Sequence, residues 1–145
     1  MKAVILAAGK GTRMKEITRT IPKPMVLIQG TPMLEHIIHF IKSAGITELG
    51  IVVGYKREIV QDHFGDGSSF GVAITYIEQK EQNGTGAALH LASDFADGEQ
   101  IFFTFGDVLT PSENYAGMLA YYQNNPCEAL LGLNTVDDPY RGAAV

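Results

Sequence analysis

Apolar positions in this chain fall into two spacings that take turns. Ala3-Val4-Ile5-Leu6, within a run over residues 2–7, is continuously apolar and predicts a buried first strand. Residues 33–44 carry Leu34, Ile37, Ile38 and Ile41 at helical spacing, with Glu35, His39 and Lys42 on the other side. Thr31-Pro32 reads as the cap and proline that start this helix, and Gly45 as its stop. Residues 49–53 (Leu-Gly-Ile-Val-Val) predict a strand apolar on both faces. A short helix over 56–64, a loop over 65–69 and a strand over 72–77 follow. One helix is predicted over 85–95, with Ala88, Leu91, Ala92 and Phe95 on one side, then a buried strand over 101–105. A helix over 112–124 and a strand over 128–133 complete the pattern.

This order predicts an α/β fold, a Rossmann-like three-layer sandwich with a mainly parallel sheet and right-handed crossovers. Ligands in such sheets bind beyond the carboxyl ends of the strands. Three features fall on that edge: the Gly9–Arg13 loop, Gln79 with its following loop, and Gly106-Asp107. They are expected to converge. No internal repeat, low-complexity segment or linker interrupts the 145 residues, which fit one domain.

Composition narrows the function. A formal charge of −5 argues against nucleic acid as a partner. Yet six of the eleven basic residues (Lys2, Lys10, Arg13, Lys15, Arg19, Lys23) lie in the first 25 positions, opposed only by Glu16. A basic corner on an acidic protein suggests a local anionic ligand. No apolar stretch reaches membrane-spanning length, and no cleavage-site pattern follows a charged leader. A soluble, cytoplasmic protein with no membrane partner is expected. The lone Cys127, beside Pro126, excludes an intrachain disulfide and is expected to be a buried thiol.

The chemistry concentrates in four places. Leu6-Ala7-Ala8-Gly9-Lys10-Gly11-Thr12-Arg13 is a small-residue loop directly after a strand, able to present backbone N–H groups to phosphate or a base. It lacks the Walker spacing and, with Met14, a complete dinucleotide fingerprint. Lys23 lies between Pro22 and Pro24, which push it toward extended geometry and pre-organise its charge. Gln79 can both donate and accept, so it can read a base edge. Gly84 permits close backbone approach, and Thr85 can cap the next helix. Asp107, at the end of a buried strand, suits Mg²⁺, which prefers oxygen ligands. His36, His39, His63 and His90 follow no zinc spacing, and a packing or surface role is expected for them. No nucleophile signature accompanies them. A dehydrogenase-like dinucleotide module would need a ribose-binding acid about 20 residues past the glycines. Glu35 is the candidate by distance, but it falls in a predicted helix.

In order along the chain, Leu-Ala-Ala-Gly-x-Gly-Thr-Arg-Met, Thr18, Pro-Lys-Pro-Met, Gly54-Tyr55, Gly71-Val72, Gln79, Gly-Thr-Gly-Ala-Ala-Leu and Gly106-Asp107 resemble the sugar-1-phosphate nucleotidylyltransferases, which make nucleotide-diphosphate sugars. The resemblance covers essentially the whole chain and is most diagnostic in its first 25 residues. It implies the nucleotide-diphospho-sugar transferase type of sandwich and transfer of NMP from an NTP to a sugar 1-phosphate, with pyrophosphate released. Glucose or mannose 1-phosphate is the leading acceptor, and the base is left among uracil, thymine and guanine. Carried over by position, Leu6, Ala7, Ala8 and Gly9 would meet base and ribose. Gln79, Gly84 and Thr85 would complete the nucleotide site. Gly11, Thr12 and Arg13 would hold the triphosphate, with Arg13 on the leaving pyrophosphate. Lys23 would stabilise charge at the α-phosphate, and Asp107 would bind Mg²⁺.

Two departures qualify the match. Met14-Lys15-Glu16-Ile17-Thr18 stands where relatives often have an Arg-Met/Leu-x-Pro-Leu-Thr segment. Complete members also continue further, with a Glu-Lys-Pro motif and a second metal-binding aspartate. Residues 1–145 are therefore expected to be a single nucleotidyltransferase domain lacking the C-terminal part of the family's catalytic domain. Asp137–Val145 reads as the entry into that part, with Gly142 as a sugar-binding candidate. The alternative is a non-catalytic nucleotide-binding or regulatory half that needs a partner chain or the missing half. A homo-oligomer is a possible assembly.

Overall fold

A computed structural model describes residues 1–9, 11, 17–81 and 83–133. Among these residues four parallel strands build the central sheet: β1 (Lys2–Leu6), β4 (Glu48–Val53), β5 (Ala73–Glu78) and β6 (Ile101–Phe105). Their spatial order is β5-β4-β1-β6. A small antiparallel pair, β2 (Leu27–Ile28) and β3 (Thr31–Pro32), stands apart from it. The helices are α1 (Met33–Ser43), α2 (Arg57–Phe64), α3 (Thr85–His90), α4 (Ser93–Ala96) and α5 (Ser112–Asn124).

Strand alternation sorts the side chains into two cores. Ala3, Ile5 and Ala7 face Leu34, Ile37, Ile38 and Ile41 of α1, Val60 and Phe64 of α2, and Tyr115 of α5. Val4 and Ala8 face the other way, with Val52, against Ala88, Ala92 and Phe95. Helices thus cover both faces, as β strands apolar on each side require. Within β4, Gly50 makes room for this packing, because a Cβ there would lie 2.7 Å from the Phe95 ring.

The order places the site. From β1 the chain moves outward through β4 to β5, then returns across β1 to its other side as β6. β1 therefore lies between β4 and β6, and ligands in parallel sheets bind beyond the carboxyl ends of such strands. Register brings those ends level: Leu6 pairs with both Val52 and Phe105.

Several local expectations are corrected. Thr31 does not cap α1; it pairs with Ile28 in the small ladder, and Pro32 precedes the helix with no side-chain cap. The helix predicted over 85–95 is two, α3 and α4, interrupted at Leu91 and Ala92. At the break the Ser93 hydroxyl donates to the His90 carbonyl, offering the backbone a local alternative to the helix ladder. The interruption leaves Leu91 exposed while Ala88 and Ala92 stay buried. Residues 128–133 form no strand, since no neighbour within the described residues offers them a ladder, and Leu131 and Leu133 are exposed. Cys127 is exposed, because it follows α5 in this unpaired segment and not in a core strand. α5 packs through Tyr115 and Leu119, and its Tyr121 is exposed.

Candidate active site

Strand ends and the loops after them enclose a cleft of about 460 Å³, within the usual range of small-molecule sites, roughly 300–1,000 Å³. Its floor is the end of β1. Ala7 N–H donates to the Val52 carbonyl (2.8 Å), and the Leu6 carbonyl accepts from Gly106 N–H (2.8 Å), so the chain stays in sheet register beyond the strand itself. Leu6, Ala7, Ala8, Gly9 and Gly11 line the cleft from this side. Gln79, Gly84 and Thr85 line it from the β5–α3 connection, and Asp107 from the end of β6. The three features expected to converge do converge, though they lie as much as 98 residues apart in the chain (Asp107 minus Gly9).

The glycines divide into two kinds. Among the described residues, a Cβ on Gly9 or Gly84 would meet no protein atom within 4 Å. Both line the cleft, and no packing against the described residues accounts for the missing side chain. Gly84 also sits at φ 104°, ψ 168°, a conformation essentially reserved for glycine. Gly54 and Gly106 differ. A Cβ on Gly54 would lie 3.1 Å from Ala8 Cβ and from the carbonyl oxygens of Ala8 and Gln79; on Gly106 it would lie 3.1 Å from the Leu6 oxygen. These two glycines let the strand ends close on one another beneath the cleft.

Lys23 and Asp107 meet there. Lys23 Nζ donates to Asp107 Oδ2 at 2.6 Å, joining residues 84 positions apart. Both side chains are about a third open to solvent (30% and 34%). Lys23 is not extended, as its flanking prolines suggest. It opens a 3₁₀ turn, Lys23–Met25, in which Met25 N–H donates to Pro22 O and Val26 N–H to Lys23 O. Two hydrogen bonds outweigh the steric bias that proline places on its predecessor. Pro22, Pro24 and Met25 are buried, so the turn is a fixed platform.

Thr85 lines the cleft without capping α3; Gly84 holds the position before the helix and Thr85 begins its first turn. Gln79 is buried (9% exposed), its N–H bound to the Val53 carbonyl at 2.8 Å. Its neighbour Glu78 pairs with Arg57, whose hydrogen bond holds the Glu78 carboxyl below its ordinary pKa. Thr12, Arg13 and Gly142 lie outside the described residues. Pro24, Ala88 and Phe105 also line the cleft and were not anticipated. Phe105 was within reach of the sequence, as the last residue of a predicted strand; Ala88 needed the helix's seat on the sheet.

The histidines stand elsewhere. His36 Nε2 lies 3.0 Å from the Ile28 carbonyl. Glu35 lies between His63 (3.0 Å) and His39 (3.7 Å). It sits on α1, engaged with these histidines and not among the cleft residues, which removes it as a ribose-binding acid.

Comparison with known proteins fits this geometry. The profile of the nucleotidyl transferase family matches residues 2–141. The chain belongs to that family. This nucleotidyl transferase chain is 36% identical over 140 residues to the low-salt glycan biosynthesis nucleotidyltransferase Agl11 of Haloferax volcanii, covering 96% of the chain and 39% of that protein. It is 44% identical over 107 residues to the UTP–glucose-1-phosphate uridylyltransferase AglF of the same organism, covering 74% and 43%. A Bacillus anthracis structure, provisionally named a glucose-1-phosphate thymidylyltransferase and solved with sucrose, superposes with a TM-score of 0.80 at 29% identity, covering 87% of this chain and 51% of that one. The chain thus spans about two fifths of the length of these curated relatives. The expected Rossmann-like sandwich is the fold they share. Among the described residues, no helix is long and apolar enough to cross a membrane.

Proposed function

We propose that this chain is the nucleotide-binding and catalytic part of a sugar-1-phosphate nucleotidylyltransferase. The observation that carries the proposal is the pairing of Lys23 with Asp107 at a cleft lined by Gly9 and Gly84, which have no close neighbour at the Cβ position among the described residues. A cation and a carboxylate side by side suit phosphate chemistry, where positioning and charge neutralisation do most of the work. Glycines beside them suit close approach of a flat base and ribose.

In the proposed reaction an oxygen of the sugar phosphate attacks the α-phosphorus of the NTP. The new P–O bond forms as the bond to pyrophosphate breaks. Lys23 exchanges its contact with Asp107 for an oxygen of the α-phosphate and offsets the charge that develops there. Gln79 and Gly84 read the base, and Leu6, Ala7, Ala8 and Gly9 hold base and ribose. Gly11 lies under the triphosphate, and Thr12 and Arg13 join it on the resemblance, with Arg13 toward the leaving pyrophosphate. Gly142 is assigned to the sugar on the same ground.

The carboxylate at the cleft suits Mg²⁺. That ion binds through one or two carboxylates and completes its shell with substrate oxygens and water. Asp107, partly exposed at a strand end beside the cleft, fits this role, and no dedicated cage is required. Bound there, Mg²⁺ would neutralise phosphate charge. Glucose or mannose 1-phosphate is the proposed acceptor, and the cytoplasm, where nucleoside triphosphates are made, the proposed setting.

Titration calorimetry of the full-length protein with UTP, dTTP and GTP in MgCl₂ tests the reading. Saturable binding of one triphosphate is expected, weakened by Asp107→Ala. Pyrophosphate release on adding a sugar 1-phosphate separates a catalyst from a non-catalytic nucleotide-binding module. Absence of binding by every triphosphate would refute both.

A further inference from the structure

We infer that Tyr55 and Lys56, which do not line the cleft, are positioning residues that clamp the triphosphate-binding side of the site; this rests on the nucleotidylyltransferase reading above. The clamp starts at Thr18, a polar residue only 4% exposed. Its hydroxyl donates to the Gly11 carbonyl at 3.0 Å. Gly11 is packed between two neighbours, because a Cβ there would lie 2.9 Å from Thr18 Cγ2 and 3.1 Å from Lys23 Cβ. Its φ of +60° adds a second reason for glycine. Thr18, Gly11 and Lys23 are therefore one packed unit, and the latter two line the cleft. Any displacement of Thr18 is felt at both.

Thr18 belongs to a 3₁₀ turn, Ile17–Arg19, and what anchors that turn comes from the β4–α2 connection. Tyr55 bridges two parts of the site. Its backbone N–H donates to the Ala8 carbonyl at 3.3 Å, and its hydroxyl donates to the Thr18 carbonyl at 3.2 Å. Lys56 Nζ donates to the carbonyls of Arg19 (2.6 Å) and Thr20 (2.8 Å). These carbonyls end a helical turn, where a cation is favourably placed. Lys56 adopts a left-handed backbone at φ 52°, a conformation that costs a non-glycine residue about 1 kcal/mol or more. A glycine would adopt it without strain, so the ammonium's two bonds are the return for keeping lysine there. The function of the clamp follows from its reach. It fixes Gly11 and the Lys23 platform relative to Ala8 before substrate arrives, which is pre-organisation in the sense that matters for phosphoryl transfer.

The experiment compares full-length wild-type protein with Tyr55→Phe/Lys56→Met, which removes both donors and keeps most of the packing. Whichever of UTP, dTTP or GTP binds wild type most tightly in MgCl₂ serves as the probe. The double variant should weaken that binding about fivefold to tenfold and lower kcat by a similar factor. Lys56→Arg alone should stay within about twofold of wild type, since it keeps a donor cation of similar reach. Thr18→Val provides a second route to the same defect, at the inner end of the clamp, with Tyr55 and Lys56 unchanged. Unchanged binding and kcat in the double variant, measured well below a reduced melting temperature, would overturn the inference and leave only a structural role. Failure of wild type itself to bind any of the three triphosphates would overturn the nucleotide reading, and the clamp's role with it.

Discussion

Lys23→Ala is the sharpest test of the proposed chemistry. In the free protein Lys23 Nζ approaches a carboxylate oxygen to 2.6 Å, so the side chain can reach contact distance with an anionic oxygen in the cleft. A full charge about 3 Å away would interact with it by roughly 5–6 kcal/mol at an effective dielectric of about 20. Only charge that develops between ground and transition state accelerates the chemical step. If about half a charge develops, the differential contribution is about 3 kcal/mol, or about two orders of magnitude in kcat. Lys23 is 30% exposed when the cleft is open, so the magnitude assumes that the bound triphosphate covers it. Structural loss should be small by comparison, because a partly exposed pair contributes about 1 kcal/mol at most. The assay is initial-rate pyrophosphate release by the full-length protein at saturating NTP and sugar 1-phosphate, with urea unfolding as the control. Turnover of Lys23→Ala within about threefold of wild type would refute the assignment. A fall in turnover matched by a large loss of stability would mean that the platform, and not the charge, had been removed.

Two further outcomes follow from the geometry. Gly54→Ala places a methyl 3.1 Å from Ala8 Cβ and from two carbonyl oxygens; overpacking of this kind costs about 1–3 kcal/mol and should separate Ala8 from Gln79, so both the urea midpoint and NTP affinity are expected to drop. Tyr76, half-buried and donating to the Gly65 carbonyl at 2.8 Å, has its pKa raised from 10.0 to about 12, mainly by desolvation. The folded state then holds this proton more tightly than the unfolded chain, so its stabilising effect is complete below pH 10 and is lost as pH rises toward 12. Tyr76→Phe should flatten the pH dependence of unfolding in that window, and an unchanged slope would show that the phenol does not set it.

Much of the molecule was legible in the chain because its signals are local. The run Ala3-Val4-Ile5-Leu6 reads as a buried strand, and the spacing of Leu34, Ile37, Ile38 and Ile41 suits one face of a helix; both are found as read. Gly9, Gly84 and Asp107 could be placed at one edge because parallel strands all end on the same side of their sheet. Some readings failed where a local preference met a competing contact, and the strand over 128–133 failed for want of a partner. Lys23 took a 3₁₀ turn against the bias of Pro24 because two backbone hydrogen bonds formed. Thr31 found a ladder partner and did not cap.

By itself, then, the sequence determined the alternation of strands and helices, the two-faced apolar sheet and the loop chemistry at its carboxyl edge. Tertiary structure alone decided the order β5-β4-β1-β6, which puts the cleft beside β1 and β6 and brings Lys23 to Asp107 across 84 residues. It also decided that Gly54 and Gly106 serve close packing while Gly9 and Gly84 meet no neighbour among the described residues, and that Tyr55 and Lys56 hold the turn behind Gly11. The reason is one of range. Residue spacing records which face of its own element a side chain takes, whereas a distance between elements depends on strand order and register, which no single segment contains.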